Sequence, residues 1–382
     1  MGWVRDQGGA MKVALELQPC CGKRSGIGNY TYELAKRMED SDGFSFQGNV
    51  FNFLHRNDNR AALSGIKMPI AEQSSMPYGV YRRIWGILPL DYQRMFPPAD
   101  LSIFFNYIVP PRVSGKVMTV VYDMTCFRYP ETMDRRNLKR LRQGLRRSVA
   151  RSDHIITISE FSQQEISSLM GVPEGQISVV PCAPSLAEHC APFDVLVDKL
   201  QLRRPFLLYV GTIEPRKNLA RLIRAFTHLK AEWQIPHQLV LVGGKGWGTE
   251  EIYQSAETSP YRADIRFSGF LSNEEKNTLY QQADAFVFPS LYEGFGMPPL
   301  EAMAWDCPVV CSRAASLPEI VGDAAEQVEP LDEVDIAKGI WKVLSDSAHA
   351  AGLVEKGRAR LKRFTWDASA DRLKQLCREV LA

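Results

Sequence analysis

An α/β fold, with two doubly wound parallel-sheet domains facing across a cleft, is predicted by three observations on this 382-residue chain. Short runs rich in β-branched and aromatic residues alternate with helical stretches almost throughout, the signature of βαβ units. The alternation occurs twice, on either side of the weakly periodic, proline-bearing stretch 182–205. The composition, 45% hydrophobic and 24% charged, is that of a globular protein, and the length is too great for one ordinary domain.

The first set opens with "KVALELQP" (12–19) as a strand and "GNYTYELAKRMED" (28–40) as the helix after it. Further strands are expected at 44–53, 101–105, 116–123, 154–159 and 177–181. The second set begins with strand "FLLYVG" (206–211) and helix 217–231. Strands 238–243, 265–269, 285–290 and 308–312 follow, with helices at 273–283 and 298–304. The resulting division is 1–190, 191–363 and a C-terminal helix at 364–382 packing back on the first domain. Two such sheets present their carboxyl edges to each other, where ligands of these folds bind.

Composition excludes several classes. No apolar run approaches a membrane span, and "MGWVRDQGGAMKVALEL" lacks the apolar segment of a secretory signal, so the chain is expected in the cytoplasm. Asp6 stands where a myristoylation pattern wants Ser or Thr. The eight cysteines form no disulfide or zinc-binding framework and read as reduced packing thiols. Residues 1–180 carry 23 Lys/Arg against 17 Asp/Glu, and the remainder 23 against 27. A basic first half fits an anionic surface or ligand, or simply a solvated face. Asp40-Ser41-Asp42 has the form of a metal-holding D-x-D but reads as a polar turn, and residues 1–10 as a loose tail.

Four stretches carry chemistry. In "LYEGFGMPPLEAMAWDCPVV" (291–310), Gly294 and Gly296 let the main chain approach a ligand, and Pro298 and Pro299 fit a helix's first turn. Glu293 and Glu301 are acceptor-only carboxylates suited to sugar and ribose hydroxyls; a turn cap and an exposed helix residue are the plain alternative. In "YVGTIEPRKNLARLIRAF" (209–226), Arg216 and Lys217 follow a strand's carboxyl end and precede a helix that Asn218 is expected to cap. Two such cations can hold a diphosphate, the guanidinium bidentately and the ammonium as a point charge. Gly26 and Gly28 in "KRSGIGNYTYEL" form either a loop approaching phosphate or sugar, or a plain helix entry; Thr31 spoils the dinucleotide pattern. Asp123, ending an apolar strand, either faces the cleft or caps the next turn.

"RRNLKRLRQGLRRSVARS" (135–152) places Leu138, Leu141, Leu145 and Val149 on one helical face with eight cations around the rest. It reads as a helix lying on an anionic bilayer, as one packed on the sheet with a charged outer side, or as both at once. "YGVYRRIWGILPLDYQRMF" (78–96) adds aromatics and arginines to the membrane reading.

From Tyr209 to Asp323, "GTIEPRKNL", "GFLSNEEKNTLYQQADAFVFPSLYEGFGMPPLEAMAWDCPVV" and "SLPEIVGDAA" resemble the retaining GT-B glycosyltransferases of family 4; "SGIGNYTYEL", "YDMTCFRYPE" and "ITISEFSQQEI" agree more loosely. The resemblance implies a GT-B enzyme with an acceptor-side domain at 1–190 and a nucleotide-sugar-binding domain at 191–363. It makes Glu293 and Glu301 the paired glutamates of an E-x7-E motif. Glu293 and the Gly294-Phe295-Gly296 backbone would lie at the donor sugar, and Glu301 at the ribose. Arg216 and Lys217 would hold the departing diphosphate, with Gly26 and Gly28 closing on phosphate and Asp123 placing a sugar. Tyr122 stands where the family often has histidine. The implied reaction is metal-independent and needs no cofactor: front-face transfer of a hexose, best guess mannose from GDP-mannose, to a glycan or lipid-linked oligosaccharide of bacterial surface polysaccharide. A UDP-sugar donor, a hydrolase or epimerase, and a catalytically silent partner subunit are the alternatives. The implied partners are donor, acceptor and an anionic membrane at the cell's inner face, with no nucleic acid.

Overall fold

The computed structural model describes residues 10–22, 24–40, 43–85, 91–187 and 189–382. Seven strands build the first sheet: β1 (Met11–Glu16), β2 (Phe44–Phe51), β3 (Ile70–Gln73), β4 (Leu101–Phe104), β5 (Lys116–Val120), β6 (His154–Thr157) and β7 (Ile177–Val179). Their order is β3-β2-β1-β4-β5-β6-β7. Six build the second: β8 (Phe206–Val210), β9 (Gln238–Val242), β10 (Ile265–Gly269), β11 (Ala285–Phe288), β12 (Val309–Ser312) and β13 (Glu326–Val328), ordered β10-β9-β8-β11-β12-β13. Every neighbouring pair is parallel. Helical crossovers cover both faces of such a sheet, which is why "FLLYV", "QLVLV" and "AFVF" are apolar without alternation and buried along their whole length.

Parallel order puts all carboxyl ends of a sheet on one edge and creates a crevice where consecutive strands diverge to opposite sides. In the first sheet that point lies between β1 and β4, and in the second between β8 and β11. The helix Trp366–Leu381 packs on the first domain: Trp366 Nε1 donates to Pro184 O, Ser369 Oγ to Pro181 O, and Arg37 Nε to Asp367 Oδ1.

Several elements differ from the sequence expectation. The helix expected at 28–40 runs Gly26–Ala35, because the Ser25 hydroxyl accepts the Gly28 N–H and starts it two residues early. Both glycines therefore lie inside the helix rather than in a loop before it. The helix expected at 217–231 is a 3-10 turn, Pro215–Lys217, followed by a helix at Leu219–Trp233. The edge strands β3 and β13 escaped the sequence reading, being only four and three residues long with polar Glu72, Gln73, Glu326 and Gln327 among them. Their pairing with β2 and β12 defines them, not their composition.

The helix Arg135–Val149 turns its apolar side inward, with Leu141 and Leu145 buried and Leu138 and Val149 partly so. Most of that stripe is taken up by protein packing. Arg135, Arg136, Lys139, Arg146, Arg147 and Arg151 remain exposed. Within 78–96 a helix spans Tyr78–Ile84, while 86–90 lie outside the described residues. Among the described residues no helix is long and apolar enough to cross a membrane. Asp40 Oδ1 accepts the Phe46 N–H at the entry to β2; Ser41, Asp42 and residues 1–9 lie outside the described residues.

Candidate functional site

The crevice between β8 and β11 receives two loops, residues 211–218 after β8 and 289–296 after β11. They are tied by Leu291 N donating to Arg216 O at 2.9 Å. The first loop delivers Arg216 and Lys217 in its 3-10 turn, and the second delivers Glu293. Lys217 Nζ lies 2.6 Å from Glu293 Oε1 and Arg216 Nη1 2.9 Å from Glu293 Oε2, so one carboxylate bridges both cations. Arg216 also donates to Tyr292 O, and its Nη2 lies 2.8 Å from Glu214 Oε1. All four side chains are largely buried.

In this setting the charges decide each other's state. Burial alone pushes the Glu293 carboxyl up, but Arg216 and Lys217 outweigh it and bring its pKa to about 2. Burial pulls the Lys217 ammonium down, against Glu293. The Arg216 guanidinium is held above its ordinary value, the two glutamates overcoming its burial. The Glu293 carboxylate is therefore ionised at neutral pH and paired with the Arg216 guanidinium.

Glu301 lies in the helix Met297–Ala304 and is buried rather than exposed. Tyr280 Oη donates to its Oε2 at 3.0 Å, and the Ser185 backbone N–H joins it from the interdomain stretch. Burial raises its pKa, with Lys276 and the Tyr280 hydrogen bond opposing. Gly296, at φ 109°, precedes the helix, and Pro298 occupies its first turn without losing a hydrogen bond. Phe295 is buried with its ring edge-on to Phe364 at 5.5 Å.

The Glu293-Gly294-Phe295 turn is also where the two domains meet. The Gly294 carbonyl accepts from Ser159 Oγ at 2.7 Å and Ser162 Oγ at 3.2 Å, and Tyr292 Oη accepts the Met124 N–H at 3.1 Å. A Cβ on Gly294 would stand 2.2 Å from Tyr122 O and 2.9 Å from Asp123 Cβ, so glycine is needed there for contact. Asp123 thus lies beside that turn, and its Oδ1 accepts the Thr125 N–H, the turn-capping reading. Gly26 faces the second domain, an added Cβ lying 3.3 Å from Met297 Cε. Gly28 does not: it is packed under Pro19 O, 2.5 Å from an added Cβ, and serves its own domain. Asn218 does not cap its helix by side chain; at φ 61° it donates instead to Pro289 O and Pro330 O. Tyr122 turns into the core and donates to Phe105 O, so no side chain from that position reaches the cleft.

Three contributors were not singled out from sequence. Glu214 flanks Arg216. Ser316 Oγ donates to both Glu293 O and Phe295 O, at 2.9 and 3.0 Å, pinning the turn. Glu319 accepts the Glu160 and Phe161 N–H groups, each at 2.9 Å, at the start of the first-domain helix Glu160–Met170. The last two lie in the quoted "SLPEIVGDAA", so the signal was present but unassigned.

Glu319 is a clasp between domains, combining a helix cap with a charge at a helix N-terminus, an arrangement worth about 1–2 kcal/mol. Glu319→Ala is expected to lower kcat/KM about tenfold, since 1.4 kcal/mol is a factor of ten, while the melting midpoint stays close to that of the parent. Steady-state kinetics beside calorimetry would check it; unchanged kinetics would show that the clasp does not govern closure.

Residues 197–360 match the family described as glycosyl transferases group 1. Over 379 residues the chain is 30% identical to O-antigen chain mannosyltransferase B of Escherichia coli, covering 94% of this chain and 97% of that protein. It is 34% identical over 229 residues to the serotype-specific mannosyltransferase WbdA of E. coli, 58% of this chain and 28% of that protein. Among solved structures it is similar to HepE of Anabaena in complex with UDP-glucose, with TM-score 0.72 and 18% identity over 97% of this chain and 100% of that one. Sucrose-phosphate synthase of Thermosynechococcus elongatus gives TM-score 0.71 and 20% identity, over 97% and 99%. The fold is GT-B.

Proposed function

The chain belongs to the group 1 glycosyl transferases, and from that premise we propose that it is a retaining, metal-independent mannosyltransferase. In this reading it carries mannose from GDP-mannose to a glycan or lipid-linked oligosaccharide in bacterial O-antigen synthesis. The observation that carries it is the gathering of Arg216, Lys217 and Glu293 at the second sheet's switch point. The near full-length likeness to an O-antigen chain mannosyltransferase supports the choice of sugar.

Without donor, Glu293 occupies both cations. A diphosphate entering beside them takes over part of their charge, leaving the Glu293 carboxylate to accept hydrogen bonds from sugar hydroxyls. Arg216 and Lys217 then stabilise charge as it develops on the leaving phosphate, the work a divalent ion would otherwise do. Glu301 accepts from the ribose, and Asp123 borders the sugar from the first domain. The acceptor attacks from the face the nucleotide leaves, its proton passing to the departing phosphate. Glu293 holds the sugar hydroxyls and takes no part in that proton transfer.

The test is a donor panel of GDP-mannose, UDP-glucose, UDP-galactose and UDP-N-acetylglucosamine with chelator present, followed by the anomeric configuration of the product by NMR. Turnover of GDP-mannose with an α-linked product is expected. Dependence on added metal, a β-linked product, or preference for a UDP-sugar would each overturn the corresponding part of the reading.

A further inference from the structure

The helix Arg135–Val149 lies outside the site above, and its charge has no work to do within the fold. From Arg135 to Arg151 the chain has eight Lys/Arg and no Asp or Glu. Elsewhere exposed arginines meet carboxylates, as Arg60 does Glu72, Arg128 Glu165 and Arg358 Asp306. None of these eight forms an ion pair among the described residues. Arg140, Arg142 and Arg151 are held by neutral oxygens, those of the Asn137 side chain and of the Cys126 and Val109 carbonyls. Arg135, Arg136, Lys139, Arg146 and Arg147 stand in solvent.

The placement of these cations is regular. Arg135, Lys139, Arg142 and Arg146 follow one another at helical spacing and form a stripe along the outer side. Beside the stripe the partly buried Leu138 joins Arg135, Lys139, Arg142 and Gln143 in lining a shallow, apolar-walled depression. Carbon stems laid along apolar surface with their charged heads in water are the disposition side chains take at a membrane interface. The patch continues onto the helix Tyr78–Ile84, where Arg83 is exposed and Val80 is 43% exposed. From that helix the charge of Arg82 acts on Arg140 and, with burial, pulls its guanidinium below the ordinary value. Like charges held together with no acid between them repel, and an anion brought to them relieves the repulsion. The basic helix begins three residues after Thr132, whose carbonyl accepts Trp247 Nε1 from the second domain, so the patch starts where the two domains meet.

We propose that the outer side of the helix Arg135–Val149, with Arg82 and Arg83 beside it, docks on a bilayer surface that carries anionic phospholipid. The attachment is interfacial: Leu141 and Leu145 stay in the protein core, while the cations meet headgroup phosphates. Duplex nucleic acid suits the face less well, because Leu138 and Val80 accompany the cations and a phosphate backbone offers them nothing apolar. The proposal goes beyond the transferase reading and does not depend on which sugar is moved. It sets the junction of the domains against the surface from which a lipid-borne acceptor would come.

Co-sedimentation of the full chain with vesicles tests it, one set of phosphatidylcholine alone and one of equal parts phosphatidylcholine and phosphatidylglycerol. Transfer from GDP-mannose to soluble octyl α-mannoside is measured alongside. The parent is expected to bind the anionic vesicles only, and to lose them as salt is raised. Arg135→Gln, Lys139→Gln, Arg146→Gln and Arg147→Gln together are expected to weaken that binding by about 10²–10³-fold, at roughly fivefold per cation. Arg135→Lys with Arg146→Lys and Arg147→Lys keeps the charge and should keep the binding. Both variants should leave transfer to the soluble mannoside unchanged. Should the Gln variant fail to fold, the lipid and salt dependence of the parent and of the Lys variant decides. Parent-like vesicle binding by a folded Gln variant, equal binding to neutral vesicles, or a tighter hold on duplex DNA than on anionic vesicles overturns the docking face. A parent that binds anionic vesicles but transfers nothing to the mannoside counts against the transferase reading alone.

Discussion

Lys217→Met is expected to reduce turnover by about 10²–10³-fold, the loss that follows removal of one preorganised group facing developing charge. Part of the damage would be structural, since a buried carboxylate stripped of a partner costs about 3–5 kcal/mol, and Glu293 would keep only Arg216. The double variant Lys217→Met with Glu293→Gln separates the two effects. Replacing the ammonium and the carboxylate together removes a matched positive and negative charge, so much of the lost stability should return while activity stays low. Denaturant unfolding and single-turnover nucleotide release would measure them. If the double variant regained activity along with stability, Lys217 would be a partner for Glu293 and nothing more.

Gly294→Ala is expected to be nearly as damaging for a different reason. One methyl group would stand 2.2 Å from Tyr122 O, a backbone atom that cannot swing away. The second domain would have to withdraw from the first, weakening the Gly294 contacts to Ser159 and Ser162 and the approach of Asp123 to the Glu293 turn. Gly294 lies in a turn between β11 and the helix Met297–Ala304 and outside both sheets, so both domains should still fold. A fall in kcat/KM of about 10²-fold or more, in line with the cost of a 1 Å misplacement at a reacting centre, should accompany a larger radius of gyration by X-ray scattering. Parent-like scattering with parent-like kinetics would mean that the domains tolerate the wider spacing.

Glu293 and the Arg-Lys pair stood out because they follow strand ends beside glycine and proline turns; Glu301, inside the helix Met297–Ala304, was singled out as its pair only by the family resemblance. The meeting of Glu293 with those cations was not legible. Nothing in the interval between Lys217 and Glu293 shows that the ammonium meets that carboxylate at 2.6 Å; the β8–β11 pairing brings the two loops together. The same limit hid Glu319 and Ser316, whose partners lie across the interface or on another loop, and it left Gly26 and Gly28 looking alike when one faces the other domain and the other is buried under Pro19.

By itself the chain determined two parallel α/β domains, because buried central strands must be apolar on both faces and their crossovers must be helical, a constraint written locally every few residues. Only the tertiary structure decided which ends of those strands become neighbours and which charges neutralise each other. Those outcomes depend on strand order and domain closure, and contacts between residues far apart in sequence leave no period to read.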